Sequence, residues 1–134
     1  MNRPGVTIFV CVSCRRRLGD AEDAFDQPGV ELVAALEKRL REAGAADVGV
    51  EPVECLAVCK RPCTVAVTAA GKWTYLIGDL DPELDAEVIV AAVVSYQRSD
   101  HGIVPWRERP QAFRKGVVAR VPPPGFTQPE PEVP

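Results

Sequence analysis

All five cysteines of this chain fall in two short groups, and each group directly follows a short apolar segment. The first group, C-V-S-C, occupies positions 11–14 and follows V-T-I-F-V at 6–10. The second group, C-L-A-V-C-K-R-P-C, occupies 55–63 and follows V-G-V-E-P-V at 48–53. Short runs rich in β-branched residues predict buried strands. We therefore expect thiols to converge where two neighbouring strands end, which suits a soft metal or an iron–sulfur cluster.

The length and composition favour one globular domain in a reducing compartment. With 134 residues, 46% of them hydrophobic, the chain can bury a core without disulfides. The net charge of −3 gives no sign of binding to nucleic acid or an anionic membrane. There is no apolar run of about 18 residues to span a membrane, and no separate signal-peptide core, so a cytoplasmic location is predicted. An odd number of cysteines there favours metal or redox chemistry over a disulfide framework.

Hydrophobic periodicity predicts the element order β-α-β-loop-β-β-α. We expect strands at 6–10, 48–53, 64–68 and 73–77, and helices at 28–43 and 81–97. The first helix has one apolar face, and Gly44 is placed to end it. Asp81 and Pro82 supply an N-cap and a first-turn proline for the second helix. This order fits an α/β fold with a thioredoxin-like sheet and helices on its faces.

The chain is expected to divide into three parts. Residues 1–98 form the thioredoxin-like domain. Residues 99–121 have no clear periodicity but carry Trp106 and Phe113, which can pack onto the domain as an irregular extension. Residues 122–134 are rich in proline and bury too little apolar surface to fold, so this tail is expected to be disordered.

Three chemistries compete for the cysteines. A 2Fe–2S cluster held by four thiolates, a structural zinc site with four cysteines, and a dithiol redox centre can each use a C-x₂-C pair. Cys55 and Cys59 are spaced so that both sulfurs lie on one face of a helical turn. Zinc ribbons more often use two C-x₂-C pairs. The two groups therefore favour a cluster bridging two loops, with zinc as the alternative.

The sequence argues both for and against the dithiol alternative. C-V-S-C follows the first predicted strand, as a thioredoxin motif would. A redox C-x-x-C pair should also open a helix, because the helix N-terminus lowers the thiol pKa. Here residues 15–28 intervene before the predicted helix. Cysteines that merely pack in a core would be scattered through strands and helices, not grouped in two loops.

The motifs resemble two related groups of proteins. The cysteines after the first two strands and the run C-L-A-V-C-x-x-P resemble thioredoxin-like 2Fe–2S ferredoxins. The runs C-K-R-P-C, G-K-W-T-Y-L-I-G-D-L and G-I-V-P-W-R-E-R-P resemble a bacterial family of uncharacterised proteins that are thought to bind metal. The resemblance implies a thioredoxin-like ferredoxin domain that carries electrons, with no catalytic residues and no enzymatic activity.

By this resemblance, the ligands of the cluster are Cys11, Cys14, Cys55 and Cys59. The sequence departs from the ferredoxin pattern at two points. The gap between the first two ligands is shorter than in those ferredoxins, and Cys63 is an additional cysteine. Cys63 can therefore replace one of the four ligands or remain a spare thiol.

Basic residues flank both cysteine groups: Arg15, Arg16, Arg17, Lys60 and Arg61. Their charge can stabilise thiolates and a negatively charged cluster. It can also dock a redox partner protein through an acidic face of that partner. A solvated basic surface is an equal alternative. Because the ferredoxins of this fold dimerise, the resemblance also allows a homodimer. His101, the single histidine, is expected at the surface and not as a ligand.

Overall fold

The computed structural model describes residues 5–13, 16–17, 25–45, 47–58, 61–104, 107 and 109–128. In chain order the elements are β1 (Val6–Cys11), β2 (Arg16–Arg17), β3 (Phe25–Asp26), α1 (Pro28–Ala43), β4 (Val48–Val53), β5 (Val65–Thr68), β6 (Thr74–Ile77), α2 (Ala86–Arg98), α3 (Ala112–Lys115) and β7 (Val117–Val121). The predicted mixed α/β order is confirmed. None of the helices in these ranges is long and apolar enough to cross a membrane.

Among the described residues, the main sheet has five strands in the order β4-β1-β5-β6-β7. Strand β1 pairs in parallel with β4, from Val6 opposite Val48 to Cys11 opposite Val53. The other neighbours, β1–β5, β5–β6 and β6–β7, are antiparallel. The carboxyl ends of β1, β4 and β6 therefore lie at one edge of the sheet, together with the beginnings of β5 and β7. We call this the cysteine edge.

The core lies between the sheet and the two long helices. Alternate residues of β1 point into it, because side chains along a strand alternate between faces. Helix α1 contributes leucines at the predicted spacing, and α2 contributes Ile89, Ala92, Val93 and Tyr96. Helix α1 packs against α2, β4 and β1. Gly44 ends α1 in the left-handed conformation, as the sequence predicts.

Helix α2 begins later than its N-terminal signal predicts. The carboxylate of Asp81 accepts hydrogen bonds from the backbone N–H groups of Glu83 and Leu84, at 2.8 and 3.0 Å. Those bonds close a separate turn, and the helix starts only at Ala86. The aspartate and proline at 81–82 therefore mark a capped turn that leads into the helix.

The C-terminal extension contains regular structure that sequence periodicity does not predict. Strand β7 forms the fifth strand beside β6, and α3 precedes it. Val104 and Phe113 are each only 2% exposed. Phe126 contacts the ring of Trp73 edge-on, with a centroid distance of 5.2 Å. Of the predicted disordered tail, residues 129–134 lie outside the described residues.

Hydrogen bonds fasten the first part of the extension to the sheet. The N–H of Trp73 donates to the carbonyl of His101 at 2.8 Å, and the side chain of His101 is exposed, as expected. The N–H of Val104 donates to the hydroxyl of Tyr75 at 3.1 Å. Arg109 donates from Nε to the carbonyl of Val104 and lies over the ring of Tyr75. His101, Val104 and Arg109 thus attach the extension to β6 and to the residue before it.

Ending the chain after Asp100 should strongly destabilise the protein. That truncation removes the buried side chains of Val104 and Phe113 together with β7, and burial of each such side chain contributes roughly 1.5–3 kcal/mol. We expect a loss of about 3–6 kcal/mol in the free energy of unfolding, measured by urea denaturation. A chain ending at Gln128 is the control. Equal midpoints for the chains ending at 100 and 128 would show that the extension adds no stability.

The stability should also fall at high pH because of Tyr96. Its hydroxyl donates to the carbonyl of Trp73 at 2.5 Å, and burial raises the pKa of Tyr96 to about 12. In the unfolded chain the pKa is near 10. The hydroxyl's contribution is therefore complete below pH ~10 and is lost as the pH rises toward 12.

The matched variant is Tyr96→Phe. At pH 7 this substitution should lower the free energy of unfolding by about 0.5–1.5 kcal/mol, because the carbonyl of Trp73 loses its donor. The gap in unfolding free energy between wild type and variant should narrow between pH 10 and 12. A gap that stays constant over this range would contradict the assigned pKa.

Candidate metal centre

The cysteine edge brings together residues from both cysteine groups. Cys11 is the last residue of β1 and lies opposite Val53. Cys55 follows Val53 by two residues, and Cys63 precedes Val65, the first residue of β5, by two. Cys14 and Cys59, the other two predicted ligands, lie outside the described residues. The parallel pairing of β1 with β4 is therefore what places Cys11 beside the start of the second cysteine group.

Cys11 is fully buried and firmly held by its neighbours. Its N–H donates to the carbonyl of Thr64 at 3.0 Å. Its Sγ atom lies 3.9 Å from the carbonyl oxygen of Glu54 and 3.8 Å from Oγ of Ser13. The side chain is 0% exposed. The Cys11 sulfur thus faces the backbone immediately before Cys55.

Cys55 has a different environment. Its side chain is exposed, and its sulfur accepts a hydrogen bond from the N–H of Ala57 at 3.2 Å. Ala57 adopts the left-handed conformation, with φ of 61°. This conformation is unfavourable for alanine and turns its amide toward the sulfur. Hydrogen bonds of this kind orient metal-binding thiolates and tune the metal. The loop therefore holds Cys55 in place with its own backbone.

Cys63 lies inside the apolar core. Its side chain is 0% exposed and belongs to the same buried cluster as Val65, Ile77 and Leu80. Its carbonyl accepts a hydrogen bond from the N–H of Leu80 at 3.1 Å. This placement gives Cys63 a packing role that its sequence position did not reveal. Its role as a spare or replacement ligand stays a prediction.

The first turn of α1 packs directly against Cys11. A Cβ atom at Gly29 would collide with the carbonyl oxygen of Cys11 and would lie 3.1 Å from the Cα of Val12. Only glycine allows this approach. The N-terminus of α1 therefore lies at the cysteine edge although residues 15–28 intervene along the chain. The atom of Cys11 that meets the helix is its carbonyl oxygen, whereas its sulfur lies toward Glu54 and Ser13. Helix α1 begins at Pro28 and not at C-V-S-C, in line with the sequence argument against a redox pair.

Replacing Gly29 by alanine should push α1 away from the first cysteine group. We expect a loss of about 1–3 kcal/mol, typical of overpacking against a fixed backbone. The matched control is Gly5→Ala, because a Cβ atom at Gly5 would make only ordinary contacts, 3.5 Å from the carbonyl oxygen of Asp47 and 3.8 Å from its Cβ. Thermal unfolding of both variants provides the comparison. If Gly29→Ala were no more destabilising than Gly5→Ala, the close contact with Cys11 would be disproved.

The described donors suit a group held by thiolates, but they do not complete a site. Within the described ranges, no group of three or more Cys, His, Asp or Glu side chains could hold a metal ion. The described part of the site is Cys11, with its sulfur toward the second loop, and Cys55, with its N–H···S bond. Sulfur donors from two separate segments fit zinc or an iron–sulfur cluster. A groove of about 450 Å³ lies elsewhere, between the end of α1 and the start of β4.

Of the five basic residues that flank the cysteines, the structure describes the side chain of Arg61. Its Nε donates to the carboxylate of Asp79 at 2.7 Å, and its Nη2 donates to the carbonyl of Lys115 at 3.2 Å. Asp79 therefore partly neutralises this charge. The sequence alone does not identify Asp79, Gly29 or Ala57 as part of the site. Of the three, only Gly29 has a local signal, because it follows Pro28 at a predicted helix start.

The family model of a protein of unknown function, DUF1636, matches residues 8–123. The chain belongs to this DUF1636 family. The match spans both cysteine groups and most of the extension, and it confirms the predicted relationship to an uncharacterised bacterial family. No functionally curated protein matches this DUF1636 sequence.

Two solved structures resemble the DUF1636 chain over most of its length. One is a thioredoxin-like [2Fe-2S] ferredoxin from Aquifex aeolicus, 19% identical, with a TM-score of 0.55, covering 91% of this chain and 97% of the ferredoxin. The other is the wild-type thioredoxin-like [2Fe-2S] ferredoxin from Aquifex aeolicus, which is 18% identical with a TM-score of 0.51. That match covers 85% of this chain and 96% of the ferredoxin. At these identities the likeness shows the fold, and the predicted thioredoxin-like class is confirmed.

Proposed function

We propose that this DUF1636 protein binds a 2Fe–2S cluster through Cys11, Cys14, Cys55 and Cys59 and carries electrons without catalysing a reaction. The observation that carries the proposal is the parallel pairing of β1 with β4. It places the sulfur of Cys11 3.9 Å from the carbonyl of Glu54, next to Cys55. The fold shared with two proteins described as [2Fe-2S] ferredoxins supports the same assignment.

The chain's own residues would hold and tune this cluster. When bound, the cluster supplies a one-electron centre. The buried position of Cys11 keeps water from one side of the site. The N–H of Ala57 donates to the sulfur of Cys55, and hydrogen bonds to sulfur raise the reduction potential of such a centre.

Zinc is the alternative occupant, because it uses the same thiolates. A dithiol oxidoreductase is the third possibility. The burial of Cys11 opposes it, because an attacking thiol needs access to its target. At 0% exposure, the Cys11 sulfur cannot be reached by a substrate disulfide in this conformation.

The proposed redox partner would dock at the cysteine edge through an acidic face. Arg61 is paired with Asp79, so the attraction would come from Arg15, Arg16, Arg17 and Lys60. A homodimer and a cytoplasmic location belong to the same proposal, and both rest on the sequence and its resemblance to the ferredoxins.

The test is anaerobic reconstitution of the metal-free protein with iron and sulfide. A 2Fe–2S protein should turn red-brown, and its visible absorption should bleach with dithionite. The zinc and dithiol alternatives both predict a colourless protein, and metal analysis separates those two. If the protein stays colourless and binds one zinc per chain, the site holds zinc and not a cluster.

The ligand set is tested by single Cys→Ser variants with iron and sulfide analysis. Cys11→Ser, Cys55→Ser and Cys59→Ser should each lose the cluster, because one missing thiolate opens an iron site. Full occupancy in Cys55→Ser or Cys59→Ser would refute the assignment. Cys63→Ser should keep the cluster but lower the melting temperature, because it puts a hydroxyl into the apolar core. If Cys63→Ser loses the cluster while Cys14→Ser keeps it, Cys63 is the fourth ligand.

A further inference from the structure

We propose that Arg61 is a positioning residue that ties the second cysteine group to the C-terminal extension, so that metal at the cysteines and the packing of β7 stabilise each other. This inference rests on the proposed binding of metal by the cysteines. It does not depend on whether that metal is a cluster or zinc. The contacts of Arg61 with three separate segments carry it.

The backbone of Arg61 fixes the exit of the second cysteine group. Its N–H donates to the carbonyl of Val58 at 3.0 Å. Its carbonyl accepts from the hydroxyl of Thr64 at 3.0 Å and from the N–H of Asp79 at 3.1 Å. The segment that begins at Arg61, two residues after Cys59 in the sequence, is therefore anchored by the residues that follow β6.

The side chain of Arg61 extends the same anchor to the extension. Its guanidinium joins the carboxylate of Asp79 to the carbonyl of Lys115, the last residue of α3. One residue later, the carbonyl of Gly116 accepts from the N–H of Gly78 at 2.8 Å. The entry into β7 is thus bonded both to Arg61 and to the residue beside Asp79.

Close packing makes the arrangement stiff. A Cβ atom at Gly78 would lie 3.0 Å from both the Cβ and the carbonyl oxygen of Arg61, and 3.4 Å from a methyl group of Val118. Gly78 therefore lies in close contact with both Arg61 and Val118, and a side chain there would force its neighbours to shift. A displacement of either segment would strain the other.

The energy of the ion pair alone does not explain this role. The side chains of Arg61 and Asp79 are 33% and 56% exposed, and exposed ion pairs contribute little stability. What Arg61 supplies is geometry, because its planar fork bonds two acceptors at once and lysine cannot reproduce that. If metal binding orders the cysteine segment, it orders β7 through this link, and the coupling acts equally in both directions.

The experiment compares Arg61→Gln and Arg61→Lys with Lys72→Gln in the full chain. Lys72 also joins segments, donating to the carbonyls of Tyr96 and Gln97 at 3.0 and 2.8 Å. It lies at the β5–β6 turn, at the opposite edge of the sheet, so it controls for a general loss of stability. The first readout is the rate at which Zn²⁺-loaded protein releases zinc to a chelator. The second is hydrogen exchange of the β7 amides with and without Zn²⁺.

We expect Arg61→Gln to release zinc about tenfold faster, the scale found for residues that support metal ligands. Arg61→Lys should be nearly as fast, and Lys72→Gln should release zinc at the wild-type rate. In the wild type, Zn²⁺ should slow exchange in β7, and Arg61→Gln should abolish that effect. The proposal would be overturned if Arg61→Lys or Arg61→Gln released zinc at the wild-type rate. It would also be overturned if Lys72→Gln released zinc as fast as Arg61→Gln.

Asp79→Gly covers the case in which Arg61→Gln does not fold. Glycine adopts the left-handed conformation of Asp79, which has a φ of 58°, and removes the carboxylate that accepts from Arg61. This variant should release zinc faster than wild type, and an unchanged rate would count against the link. Should the wild type bind neither zinc nor a cluster, the proposed function fails. Exchange in the metal-free protein then still tests whether Arg61 holds β7.

Discussion

The parallel pairing of β1 with β4 is the contact on which the candidate site depends. Two parallel strands cannot be joined by a tight turn, so the chain between them must cross over the sheet. Here α1 makes that crossing, and its leucines cover one face of the sheet. Because both strands run in the same direction, the segments that follow them leave from the same edge. Cysteine groups 41 residues apart in sequence, counted from Cys14 to Cys55, thereby become neighbours.

The antiparallel half of the sheet gives this edge its second wall. Strands β5 and β6 bring Cys63 and Asp79 to the same end, and β7 adds Lys115 and Gly116 beside them. At the opposite end, Lys72 and Tyr96 hold the hairpin against α2. The extension is therefore part of the sheet, and its hydrogen bonds reach the residues that follow the second cysteine group.

Much of this fold follows from local sequence. Apolar spacing at Leu32, Leu36 and Leu40 predicts α1, and the turn at Gly71 predicts the β5–β6 hairpin. Strand β7 is not predictable in this way, because V-V-A-R-V is short and its register is set by pairing with β6. The grouping of cysteines likewise predicts a shared edge, but burial separates Cys63 from Cys55. Burial depends on tertiary packing that spacing along the chain does not encode.

The contacts of Gly29 and Arg61 show the same limit. Nothing in the sequence near Gly29 says that Cys11 will lie against it, since the contact joins residues on different elements. Arg61 looks like one more basic residue beside a cysteine until Asp79 is found 2.7 Å away. Local patterns therefore identify which residue types meet at the cysteine edge. The folded chain decides which of them are paired.

The unequal burial of Cys11 and Cys55 sets an order for chemical damage. Oxidants and alkylating reagents reach exposed thiols first, and sulfur that has passed to the sulfinic state is not restored by ordinary reductants. Cys55 meets solvent, whereas Cys11 is shielded by the sheet and by the first turn of α1. Oxidation of these two thiols would thus begin at Cys55 while Cys11 stayed intact. A chain damaged at Cys55 alone would keep its buried core, and with it its fold and its melting behaviour.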